Sequence, residues 1–100
     1  MEPQTMECIR AVAKDIRKTV QPEQIILFNQ KLGVGGRLQS FKLCVVVDTA
    51  EKADIERSIY LGIDSEQPFD VVIYTPGEWE ELLNIPHSFA RTIRDTGVVL

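Results

Sequence analysis

Apolar residues recur at three- and four-residue spacings from Met6 through Ile9, Val12, Ala13 and Ile16 to Val20, with Arg10, Lys14, Arg17 and Lys18 between them. That period predicts an amphipathic helix ending near Val20, because Pro22 disfavours helical geometry at Gln21. Ile25–Phe28 is a short apolar run of the length of a buried strand. Asn29–Arg37 holds Gly33, Gly35 and Gly36 and predicts a loop. From Leu38 to Val47 the pattern alternates: Phe41, Leu43, Val45 and Val47 share one face of a strand, and Ser40, Lys42 and Cys44 the other. Asp48 and Glu51 read as the start of a second helix that ends near Gly62. Phe69–Tyr74 predicts a third strand. Thr75, Pro76 and Glu78 form a capping signal for a helix whose buried stripe is Trp79, Leu82 and Leu83. Beyond Pro86, one or two helical turns carry Phe89 and Ile93, stop at Gly97, and leave the apolar Val98–Leu100.

These elements predict an α/β (α+β) fold in the order αββαβα, a mixed β-sheet with helices packed on it, as a single domain over residues 1–100. Strands one and two, joined without a helix, should be antiparallel; strands two and three, joined by a helix, should be parallel. The starts of strands two and three, with Ser40, Lys42 and Asp70, then lie at one end of the sheet beside the glycine loop, a natural cleft.

The formal net charge of −4, from 11 Lys+Arg against 15 Asp+Glu, disfavours general nucleic-acid binding, which depends on clustered cations. No stretch approaches the roughly 20 apolar residues that cross a bilayer, and Met1–Thr5 lack the basic start and apolar run of a secretion signal, so a cytoplasmic location with no membrane association is expected. Cys8 and Cys44 belong to no ligand cluster and read as reduced core thiols. GVGGRLQS lacks the Gly-Lys-Ser/Thr of a P-loop and opens a strand, so a hairpin is expected in place of a phosphate cradle. His87 stands near no nucleophile or second ligand and receives no role; Trp79 reads as a core anchor, and Glu78, Glu80 and Glu81 as a dipole-favoured helix start.

The segments PEQIILFNQKLGVGGRLQSFKLCVVVD, PFDVVIYTPGEWEELLN and RTIRDTGVVL together resemble the minimal nucleotidyltransferases of the DNA-polymerase-β superfamily over most of the chain. Leu27 and Phe28 match the family's Leu-Phe; Asn29 and Gln30 stand where it has Gly-Ser; and Lys31 takes the place of its arginine, which makes Lys31 the nucleotide-binding position the resemblance implies. The family's paired aspartates fall on Ser40 and Lys42, and Asp70 matches the third. Family members are understood to hold two magnesium ions on three carboxylates. Here the triad changes from three anions to a hydroxyl, a cation and one anion. A divalent ion ~4 Å from the Lys42 ammonium would be repelled by roughly 8 kcal/mol at an effective dielectric of ~20. Asp48 lies six residues along the strand, roughly 20 Å away, too far to substitute. Lys42 is instead expected to pair with Asp70 across adjacent strands, with no intact catalytic residue, no metal site and no cofactor.

The resemblance therefore implies a nucleotidyltransferase-fold protein without the metal chemistry, acting as a binding or regulatory module with a helical HEPN-type partner, as in prokaryotic toxin–antitoxin pairs. Two alternatives stand beside it: an active magnesium-dependent transferase using a nucleoside triphosphate with Asp70, and a self-associating module that binds no nucleotide.

Overall fold

The computed structural model describes residues 3–100, with side chains from Thr5 onward. Met1 and Glu2, part of the segment read for a secretion signal, lie outside the described residues.

Helix α1 (Pro3–Val20) buries Ile9, Val12, Ala13 and Ile16 and leaves Arg10, Lys14, Arg17 and Lys18 exposed, as its period requires. It ends where proline dictates. Gln21 turns left-handed (φ 52°) and its N–H donates to the Arg17 carbonyl at 3.2 Å, closing the last turn before Pro22.

The strands are β1 (Gln24–Leu32), β2 (Leu38–Val46), β3 (Phe69–Tyr74) and β4 (Val98–Val99), in the order β3-β2-β1-β4. β1 and β2 are antiparallel and β2 and β3 parallel, as the connections predict. Two expectations are corrected here. The loop expected over 29–37 is strand as far as Leu32, because pairing with Leu38–Lys42 satisfies backbone groups that the polar Asn29-Gln30-Lys31 would otherwise leave to water. A tight connection remains at 33–37. There the Gly33 N–H donates to the Arg37 carbonyl at 2.7 Å, and Gly35 and Gly36 take φ of 77° and 78°, values that favour glycine. In addition, Val98 and Val99, read only as an apolar ending, add a fourth strand paired with Leu27 and Ile26.

Helices α2 (Lys52–Gly62), α3 (Pro76–Leu83) and α4 (Phe89–Thr96) complete the fold. Asp48 and Glu51 do not cap α2. The Thr49 hydroxyl accepts the Glu51 N–H at 3.0 Å, and the helix starts at Lys52 with no side-chain cap. The α3 signal behaves as read: the Thr75 hydroxyl accepts the Glu78 N–H at 3.2 Å, and the Glu78 carboxylate accepts the Thr75 N–H at 3.0 Å.

The sheet separates two cores. On one face Ile25, Leu27, Phe41, Leu43, Val45, Val71 and Ile73 meet α1 and, through Ile59, α2. On the other, Ile26, Cys44 and Val46 meet Trp79, Ala90 and Ile93 of α3 and α4. Cys44 is buried, and desolvation pushes its thiol up to about 12, which makes it inert at neutral pH. Cys8, expected in the core, is only half-buried on α1, beyond the stripe that faces the sheet.

Glu78 also ties α3 to α2 by accepting from Lys52 at 2.9 Å. The Thr75 N–H and then the Lys52 ammonium hold its carboxyl down at about 2. A carboxyl lowered in the folded state stabilises above its ordinary value of 4.5 and loses that contribution as pH falls toward 2. Gln at this position keeps the capping box and removes the charge. Glu78→Gln is therefore expected to be less stable than the wild type at pH 6, with the gap closing between pH 4.5 and 2; denaturant melts across that range measure it.

Candidate functional site

β2 carries the site because its alternation puts Ser40 and Lys42 on the face of Cys44 and Val46, the face of α3 and α4. Those two helices cover only the later part of that face. Ahead of them Lys42 and Asp70 are exposed and Ser40 is half-buried, so the starts of β2 and β3 form an open shelf. Register sets Lys42 beside Asp70, with Cys44 beside Val72 and Val46 beside Tyr74. Side chains of register partners in a sheet share a face, so Lys42 and Asp70 both stand on the shelf.

The strand pairing expected for these two residues is present, but the expected ion pair is not. Among the described residues the ion pairs are Lys52–Glu78, Asp54–Arg57 and Arg94–Asp95. An exposed lysine and carboxylate gain little from each other in water, about 0–1 kcal/mol, and holding both side chains in one geometry opposes that gain.

A β-bulge completes the shelf. Leu27 pairs with Leu43, but Asn29 pairs with Lys42, so Phe28 is the extra residue in β1. The extra residue shifts the parity of everything after it. Without it, Lys31 would stand on the face of Leu27, under α1. With it, Lys31 pairs with Ser40 and Asn29 with Lys42, and both join the shelf face. Phe28 remains on that side too, packed edge-on against Phe89 of α4 with ring centroids 5.5 Å apart. Asn29, Gln30, Lys31, Ser40, Phe41 and Lys42 line a concavity of about 340 Å³. It differs from the expected cleft, since neither Asp70 nor the glycines line it.

Four positions taken from the sequence, Lys31, Ser40, Lys42 and Asp70, are thus gathered on one face at one end of the sheet. Sequence reasoning missed Phe28, Asn29 and Phe89. Apart from the resemblance, which aligns Phe28 and Asn29 just before Lys31, the signal was the abrupt change from an apolar run to Asn29-Gln30-Lys31, which a loop explains equally well. His87 is exposed with φ 63° at the α3–α4 corner and does not line the concavity.

The shelf does not suit a divalent cation. It offers a hydroxyl, two ammonium groups and a single carboxylate, whereas magnesium is held by anionic oxygen. Among the described residues no group of three or more His, Cys, Asp or Glu side chains is placed to hold a metal ion. The residues therefore do not fit the magnesium pair that family members are understood to hold, and no chemical step runs through it. Two cations beside one anion leave the shelf suited to anionic side chains.

No helix among the described residues is long and apolar enough to cross a membrane. Compared with known proteins, the chain matches no family model, no curated protein and no solved structure.

Proposed function

We propose that this chain is a cytoplasmic nucleotidyltransferase-type module that lacks metal-dependent nucleotidyl transfer and acts by binding a protein, the helical HEPN-type partner implied by the resemblance. The observation that carries the reading is the register of Lys42 beside Asp70. An ammonium occupies the strand position, next to the remaining carboxylate, where the family places an anion. Ser40 on the same face supplies a hydroxyl in place of the other. The acidic balance of the chain argues in the same direction against a general grip on nucleic acid.

Calorimetric titration with ATP and magnesium tests this. The wild type is expected to give no binding heat up to millimolar ligand. The double variant Ser40→Asp/Lys42→Asp, which restores three carboxylates with Asp70, is expected to gain magnesium-dependent heat, and to lose it again when Asp70→Ala is added. Magnesium-dependent heat from the wild type that Asp70→Ala abolishes would overturn the reading in favour of an active transferase.

A further inference from the structure

β1 is nine residues long, yet its outer side is occupied over only part of that length. Val98 and Val99 pair with Leu27 and Ile26, and the Leu100 N–H donates to the Ile25 carbonyl at 2.9 Å. Before Val98 the chain turns away into α4 at Gly97. Asn29–Leu32 therefore pair with β2 on one side, while among the described residues their backbone takes no hydrogen-bond partner on the other. Peptide groups alternate along a strand, so this stretch presents outward-facing N–H and C=O groups to solvent.

The opposite edge of the sheet is treated differently. On β3 the Val71 N–H donates to the Tyr60 hydroxyl at 2.9 Å, and the Tyr60 ring lies 5.8 Å from that of Phe69, so α2 caps one outward amide of that edge. A side chain thus covers part of one edge, and Asn29–Leu32 of the other is open next to the shelf.

We infer that the outer edge of Asn29–Leu32 is a strand-addition site for an extended acidic segment of a protein partner. The open backbone asks for a strand, because only a strand satisfies such a row of donors and acceptors. The side chains choose which strand. Lys31 is exposed on this edge, so a carboxylate opposite it on the incoming segment meets a cation, and Lys42 stands one strand further in on the same face, beside Asp70. Phe28 and the half-exposed Phe89 give the segment's apolar residues a surface at the bulge end. A second copy of this chain is a poor occupant. Two-fold pairing of the edge with itself, centred on Lys31, would bring the two Lys31 side chains together. The inference goes beyond the proposed function, since it requires neither the family resemblance nor the loss of metal binding.

The test is amide NMR of the full chain at low salt, titrated with a short synthetic peptide alternating glutamate and valine. Shifts are expected at Asn29–Leu32, Phe28 and Phe89, with slowed exchange of the outward amides. Lys31→Glu should weaken the peptide by roughly five- to tenfold. A lysine–valine peptide should bind that variant and not the wild type, and the glutamate–valine peptide N-methylated throughout should not bind. Absence of shifts at Asn29–Leu32 up to millimolar peptide would overturn the inference. So would equal binding of the lysine–valine or N-methylated peptide, or shifts at Asn29–Leu32 that depend on protein concentration with no peptide present.

Discussion

Phe41→Ala is expected to destabilise the protein by about 4 kcal/mol and to lower Tm by roughly 15 to 30 °C. Phe41 is 1% exposed, and its ring stacks on Phe69 with centroids 5.6 Å apart. Phe41 belongs to the same buried cluster as Leu38, Leu43 and Val71, so alanine leaves a cavity there. The consequence reaches the site. Phe41 lies between Ser40 and Lys42 and points to the α1 side, so its burial fixes those two residues on the opposite face. Phe41→Leu, which keeps an apolar anchor, should cost far less than the alanine variant. Denaturant melts of both variants measure this, and a loss below about 1 kcal/mol for the alanine variant would mean that β2 is not anchored through Phe41.

Gly97→Ala should cost about 3 kcal/mol, although its backbone (φ −84°, ψ 170°) is open to any residue. The reason is space. A Cβ there would meet the Ile93 carbonyl oxygen at 2.4 Å, Ile26 Cγ2 at 2.5 Å and the Leu27 carbonyl oxygen at 3.0 Å. Two of these three are backbone atoms, fixed by the α4 terminus and by β1, so the added methyl must push the α4–β4 junction off the sheet. Gly77 is the control, because nothing lies within 4 Å of its would-be Cβ and it sits in the first turn of α3. Gly77→Ala is expected to be neutral or to stabilise by up to ~1 kcal/mol. Thermal melts that rank the two alanine variants in the opposite order would contradict this packing at Gly97.

What could be read before the structure was what local chemistry decides. The stripe from Ile9 to Ile16 and the box of Thr75, Pro76 and Glu78 contain their own instructions, and both form as written. The parity of β2 and the parallel pairing with β3 followed from alternation and connection type, and they were enough to bring Lys42 to Asp70. The continuation of β1 was not legible, because Asn29-Gln30-Lys31 has no apolar alternation and becomes strand only by pairing with β2. The bulge at Phe28 depends on two registers that no single segment encodes. β4 was hidden for a similar reason: Val98 and Val99 stay exposed, so backbone pairing with β1 orders them, not burial. The missing Lys42–Asp70 ion pair reflects two solvated side chains, which register alone does not bring into contact.

On the function proposed above, the shelf of Ser40, Lys42 and Asp70 holds no divalent cation. Manganese added to the protein tests it at residue resolution, since bound Mn²⁺ broadens the amide resonances of its immediate neighbours. Ser40, Lys42 and Asp70 are expected to broaden no more than exposed residues elsewhere, and to broaden selectively in Ser40→Asp/Lys42→Asp. Selective loss of those three resonances in the wild-type protein would contradict it.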